Sequence, residues 1–391
     1  MKRIAVTGGD VITPAGLIGN GLVLIRGGRI EYAGAARTIP LGACEKIDAG
    51  GLTVSPGLID AHTHLGVYAE GTGAPGEDGN EMIDPVTPHV RAIDSIDHTD
   101  RAFIEAREGG VTCVMITPGS ANVIGGSICA AKTFGRTADD MVIAKDIGQK
   151  MATGENPKRV YGEKHKAPMT RMGIAAVLRS TLVEAINYKK KVAAKKDTAR
   201  DLKLEALQSV VAGKLPARVH AHRADDIMTA IRIAEEFGLK LVIEHGTEAY
   251  KIADILAAKK IPVNIGPTSS SRSKIELKDL ARDNAVRCME AGVRVALITD
   301  HPVMPIQDIR QEAIKLVRDY GADRTEVFKT VTINPAITLG VEKRVGSLEK
   351  GKDADIAIFT GHPLDGGARC VMTMVDGAMV FDGREGKKSK H

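Results

Sequence analysis

Between residues 56 and 341, short apolar runs alternate with stretches patterned at helical spacing, and this alternation leaves few folds open. The runs at 112–116, 241–244 and 293–299 have the length of buried strands. Residues 224–237 place apolar side chains at helical spacing and stop at Gly238, a residue suited to a left-handed C-cap. Residues 278–291 do the same and stop at Gly292. Strand–helix repetition of this kind builds a parallel sheet covered by helices. No Gly-rich phosphate loop follows an early strand, which argues against a doubly wound sheet. The expected fold class is therefore α/β, a (β/α)8 TIM-like barrel.

The two ends of the chain read differently. Apolar runs at 22–25, 30–32 and 52–54 are punctuated by Gly27-Gly28 and Gly50-Gly51. Runs at 356–359, 371–375 and 379–381 are punctuated by Asp376-Gly377 and Asp382-Gly383. We expect residues 1–55 and 342–391 to build one small β-sandwich domain, with 56–341 forming the barrel. The stretch 172–213 is long, Lys-rich and without strand signals. It is expected to be a helical insert outside the catalytic mouth, because buried lysines are costly.

Aromatic residues are only 3% of the chain and Trp is absent, so the core must be built from aliphatic side chains and Met. The net charge of +5 is small for 391 residues. The clustered lysines 189–191, 195–196, 387–388 and 390 lack interleaved aromatics, which argues against a nucleic-acid partner. No apolar run is long enough for a membrane span or a leader, so a cytoplasmic protein is expected. The odd count of five cysteines, without any Cys-x-x-Cys, points to reduced buried thiols. The expected partners are a small-molecule substrate and further copies of the chain, a homo-oligomer.

Chemistry gathers at strand ends. Residues 54–64 form an apolar strand ending in His62-Thr63-His64. Side chains two apart on a strand point the same way, so both imidazoles face one point, as a metal requires. A second run carries His220 and ends at His222, a third ends at His245, and a fourth ends at Asp300-His301. Each alone could be a capping or turn residue. Four strands delivering His or Asp at the same end match the rim where barrel enzymes place their active sites. His89, His98 and His165 have no strand context, and His362 and His391 fall outside the barrel. The Gly-rich stretch 69–75 after His64 is expected to be a loop over the site.

The motif Pro56-Gly57-Leu58-Ile59-Asp60-Ala61-His62-Thr63-His64 resembles the opening of the amidohydrolase superfamily, imidazolonepropionase-like or cyclic amidohydrolase branch. Asn334-Pro335-Ala336 leading to Gly346-Ser347-Leu348-Glu349-Lys350-Gly351-Lys352-Asp353-Ala354-Asp355 is similar to the segment that returns such chains to their β-sandwich. The resemblance implies that His62, His64, His220 and His245 are metal ligands. It also implies that Asp300 touches metal and serves as general acid/base, taking a proton from water and passing it to a leaving nitrogen. Binuclear members add a bridging ligand, for which Lys150, as a carboxylated lysine, and Glu155 are the candidates. His222 could contact substrate or take the place of His220. His301 and Asn122 are further candidates for touching substrate, Asn122 with Gly125-Gly126 resembling a substrate loop.

The implied cofactor is Zn2+, one or two per chain. The implied reaction is hydrolysis of a C–N bond in a cyclic amide or in an N-acyl or peptide-like small substrate. Two alternatives stand beside it. One is a mononuclear aminohydrolase that deaminates a heterocycle. The other is a non-catalytic scaffold relative, against which the retained ligand set argues.

Overall fold

The computed structural model describes residues 3–36, 43–194 and 198–384; Lys195, Lys196 and the tail with Lys387, Lys388, Lys390 and His391 lie outside the described residues. The barrel sheet has eight strands in sequential order: β1 Leu58–Thr63, β2 Val111–Ile116, β3 Ile124–Lys132, β4 Val142–Ala152, β5 Ala217–Ala221, β6 Leu241–His245, β7 Val263–Ile265 and β8 Val295–Leu297. The segment after β8 closes the ring on β1. Thr63 bridges His301 in parallel, and the His64 amide donates to the His301 carbonyl at 2.9 Å. Every residue of β1, β2, β5 and β6 is buried, so their apolar residues do not alternate with exposed polar ones, and the polar side chains they carry are buried as well.

One strand departs from the expected pattern. β3 runs antiparallel to both β2 and β4, so the ring is not uniformly parallel. The stretch containing Gly125-Gly126 is therefore a strand and not a free loop. Close approach requires glycine at Gly126, whereas Gly125 has room for an ordinary contact. A Cβ at Gly126 would lie 2.3 Å from the Val90 carbonyl, and one at Gly125 would rest 3.5 Å from the Lys150 side chain.

The helix at 224–237 forms as expected, with Gly238 at φ 64° as its left-handed cap. The helix expected over 278–291 is shorter, Asn284–Glu290. The carbonyls of Lys278, Asp279 and Leu280 are claimed by the side chains of Arg272 and Tyr250 instead of by amides one turn on. The stretch 172–213 is helical over Arg171–Ala193, Leu202–Ala206 and Gln208–Val211. Its long helix is the β4-to-β5 connection, and Ile174, Leu178, Leu182 and Ala185 join the main core. All five cysteines are unpaired, and Cys113, Cys129 and Cys288 are buried. Among the described residues no helix is long and apolar enough to cross a membrane.

Both chain ends contribute to a small sheet domain beside the barrel. One sheet has the order Arg29–Ala35, Gly21–Arg26, Arg3–Thr7, Glu45–Asp48. The other has the order Ala378–Asp382, Cys370–Val375, Ile356–Phe359, Thr53–Pro56, Asp10–Thr13, Gly16–Ile18. Thr53–Pro56 pairs antiparallel with Ile356–Phe359, so the ends of the chain are hydrogen-bonded neighbours. Val6, Val23, Val54, Ile356 and Met372 belong to one core cluster that draws on both sheets.

Gly57 joins this domain to β1, and a Cβ there would lie 2.1 Å from Thr112 Oγ1 and 2.7 Å from Thr112 Cβ. A β-branched neighbour on a buried strand cannot rotate out of the way. Gly57→Ala is therefore expected to cost about 1–3 kcal/mol, as overpacking does, read as a lower urea midpoint.

Candidate functional site

Two groups of ligand-type side chains lie at the C-terminal rim of the barrel. His62, His64 and Asp300 form one, and His220, His222 and His245 form the other; within each group one ligand atom per residue lies within 4.8 Å of the others. The groups adjoin. The rings of His62 and His245 are 4.8 Å apart, and those of His220 and His245 are 4.5 Å apart. Lys150, on β4, reaches the first group, with Nζ 3.3 Å from His62 Nε2.

The hydrogen bonds behind the histidines fix which nitrogen faces inward. His62 Nδ1 donates to Glu244 Oε2 at 2.8 Å, and His64 Nδ1 donates to the Thr117 carbonyl at 2.7 Å. His245 Nδ1 donates to the Gly266 carbonyl at 3.1 Å. The remaining Nε2 atoms of His62 and His64 lie 3.5 and 3.3 Å from Asp300 Oδ1. Burial, reinforced by the Lys150 charge, holds the His62 pKa down to about 3, so its ring is neutral. His62 Nε2 then presents a lone pair to Lys150 Nζ and to the Asp300 carboxylate, with the His64 ring beside them. Imidazole nitrogens plus a carboxylate are the donors that zinc takes. In the second group burial pushes His220 and His222 well below the usual imidazole range, and His220 Nδ1 is buried without a partner. The donor set therefore fits a divalent metal in both groups.

A buried polar layer supports the first group. Glu244 Oε1 accepts from Arg218 at 2.8 Å, and Glu244 Oε2 also accepts from Asn264 Nδ2 at 2.9 Å. Arg218 also donates to the Thr338 carbonyl. Burial works against the Glu244 charge, but His62 and Arg218 outweigh it and bring its pKa to about 2. Asp60 ties β1 to the segment after β8, accepting from the His62 amide at 3.0 Å and from Thr299 Oγ1 at 2.6 Å. Such partners orient ligands and raise their basicity. Burial also opposes the Asp300 charge, yet the surrounding His245, His64 and His62 hold its pKa well below the usual carboxylate range.

The candidates from sequence divide clearly. His62, His64, Lys150, His220, His222, His245 and Asp300 come together. His220 and His222 both join the second group, so neither stands in for the other. Glu155 belongs to neither group. It opens the helix Glu155–Glu163, where its amide donates to Glu276 Oε1 at 2.5 Å. Asn122 does not line the cavity into which both groups open, and its amide nitrogen donates to the carbonyls of Glu81 and Asp84 at 2.6 and 2.8 Å. His301 also stands apart from both groups. It is fully buried behind the rim, 3.6 Å from Glu70, and does not line the cavity.

Both histidine groups open into a cavity of about 370 Å3 that Tyr68, Asn80, Asn156 and Lys274 also line. Asn156 Nδ2 lies 3.4 Å from His220 Nε2. These four residues, with Arg218 and Glu244, were not singled out from sequence. The charged Arg218 and Glu244 inside apolar strand runs were the available signal. A larger hollow of about 610 Å3 lies at the opposite end of the barrel, around Lys240, Lys260 and Arg294, and contains none of the clustered ligands.

The model of the amidohydrolase family matches residues 53–384. The chain belongs to the amidohydrolase family. An amidohydrolase structure from Thermotoga maritima is 46% identical and superimposes with a TM-score of 0.93, covering 97% of this chain and 100% of that one. The amidohydrolase tasK of Hapsidospora irregularis is 29% identical over 402 residues, which is 96% of this chain but 40% of that protein's length. The imidazolonepropionase of Acidiphilium cryptum is 26% identical, covering 90% of this chain and 89% of that protein.

Proposed function

We propose that this amidohydrolase-family member hydrolyses a C–N bond in a cyclic amide or an N-acyl, peptide-like small substrate, with Asp300 moving the proton. The observation that carries this reading is the convergence of the two histidine groups and Asp300 on one cavity, with Lys150 buried behind them against His62. Zn2+, one or two per chain, would be held by His62, His64 and Asp300 and by His220, His222 and His245. Bound there it would polarise a carbonyl and acidify water. Asp300 stays ionised at neutral pH, so a carboxylate oxygen is free to accept the proton of the attacking water and return it to the departing nitrogen. Glu244, through His62 Nδ1, keeps the first ligand in its coordinating tautomer. Tyr68, Asn80 and Asn156 offer polar groups that orient the substrate amide.

Lys150 takes the bridging position in this reading. Burial lowers its pKa to about 8, against the opposing pull of Glu244 and Asp300. At pH 7 about a tenth is then the neutral amine that reaction with carbon dioxide requires, far more than for an ordinary lysine, and carboxylation would turn it into a ligand. Lys150→Ala is expected to lower the metal count measured by elemental analysis, whereas Glu155→Ala leaves it unchanged. The reverse pattern would move the bridge to Glu155. The reading itself is tested by screening metal-reconstituted protein against cyclic amides, acyl amino acids and heterocyclic amines. Ammonia release from the last group, with one metal per chain, would favour deamination instead.

A further inference from the structure

We propose that the cavity wall formed by residues 270–277 is an anion subsite built on Lys274, and that the substrate is an amide bearing a free carboxylate. This rests on the hydrolytic reading above and narrows it. Among the described residues lining the cavity, Asp300 is the one carboxylate and Lys274 the one cation. Asp300 is committed to the histidine cluster. The charge left to act on a substrate is therefore positive and lies on Lys274.

Lys274 is not a loose surface lysine. Its side chain is 27% exposed and its carbonyl accepts from the Leu277 amide at 2.9 Å, closing the short turn Ile275–Leu277. Leu277 is buried and lines the same cavity. Glu276, fully buried, is pinned from behind by the Glu155 amide, and its Oε2 lies 3.4 Å from Lys274 Nζ. That is the one ion pair Lys274 makes among the described residues. An ammonium carries three donors, so this long contact leaves capacity for another acceptor. Ser270 and Ser273 line the cavity beside it and can add hydroxyl donors.

A competing view is that Lys274 exists only to neutralise Glu276. That carboxylate has further support, however, from Arg171 at 3.9 Å, which is itself paired with Asp226 at 2.9 Å. Glu276, Asp226, Glu155 and Arg171 all stand behind the cavity lining. Lys274 alone of this group reaches the cavity. Lys274 lines the same cavity as His220, His222, His245 and Asp300, which sets it beside the reacting centre. An amide whose carboxylate lies a few bonds from the scissile C–N bond, as in an N-acyl amino acid or a dipeptide, meets both requirements. A neutral heterocycle offers Lys274 no anionic acceptor beyond Glu276.

The test compares N-formyl and N-acetyl amino acids with their C-terminal carboxamides on metal-reconstituted wild type, Lys274→Met and Lys274→Arg. One charge-assisted hydrogen bond corresponds to about 10- to 100-fold in kcat/KM. The wild type is expected to prefer carboxylates by that factor, with the preference shrinking as salt is added. In Lys274→Met the ratio of carboxylate to carboxamide should fall towards one, and Lys274→Arg should retain part of it. A wild type indifferent to the carboxylate overturns the proposal, however the variants behave. So does an unchanged ratio in a folded Lys274→Met protein. Hydrolysis of neither series, alongside ammonia release from a heterocyclic amine, would instead strike down the hydrolytic reading beneath it.

Discussion

Asp300→Asn is expected to give a folded protein whose turnover on its substrate is lower by about 10²–10⁴-fold, the usual worth of a general base. The substitution is unusually clean at this position. Asp300 has φ 54°, in the left-handed region that Asp and Asn tolerate better than other side chains. Its amide donates to the His62 carbonyl at 3.2 Å, a contact that Asn keeps. A helix-capping role, the plain alternative for an Asp after a strand, does not apply, because the next helical turn is Ile306–Asp308 with Pro305 before it. The side chain instead faces His62, His64 and His245 at 3.5, 3.3 and 3.9 Å. Asn preserves size and backbone while removing the proton acceptor. Steady-state rates, circular dichroism and metal analysis on one preparation decide the matter. Near-wild-type turnover would end the mechanism proposed above.

The largest expected loss of stability lies far from the site. Lys132, at the end of β3, is 1% exposed. It binds Asp355 at 2.7 Å, Asp376 at 3.0 Å and Asp353 at 3.2 Å. Burial alone would lower its pKa, but the three carboxylates outweigh that and keep it protonated. Lys132→Met removes the cation and leaves Asp355 and Asp353 buried. Breaking a buried pair from one side costs about 3–5 kcal/mol, because the remaining charge is uncompensated. Arg344→Met should cost far less. Its partner Asp353 keeps Arg29 at 3.1 Å and Lys132. Urea unfolding of the two variants tests this; equal losses, or a Lys132→Met protein as stable as wild type, would show that the cluster does not brace the barrel against the sheet domain.

The same cluster explains part of what the sequence carried. Asp353-Ala354-Asp355 stood out as a motif returning the chain to its β domain. The structure adds the physical content: both carboxylates reach Lys132 on a strand more than two hundred residues earlier. Nothing in local pattern announces that pairing, since Lys132 reads as an ordinary strand-end lysine. β3 was missed for a related reason. Two glycines inside an apolar run look like a turn, and only the nearness of Val90 and Lys150 shows them to be a packed strand. Asn122 and His301 were drawn towards substrate because each is polar and adjoins a site motif. Neither lines the cavity, a matter of tertiary placement that sequence spacing does not encode.

By itself, the sequence determined the barrel, the sheet contributions from both ends and the inward-facing His62, His64, His220, His245 and Asp300. Each follows from short-range regularities: strand length, a period of two, and a polar residue where an apolar run stops. Tertiary structure alone decided what depends on distances across the barrel. It set Lys150 rather than Glu155 against His62, placed Glu244 and Arg218 beneath the ligands, and turned Lys274 into the cavity. Those pairings join residues from different strands and loops, and closure of the barrel, not any local rule, brings them within a few ångströms.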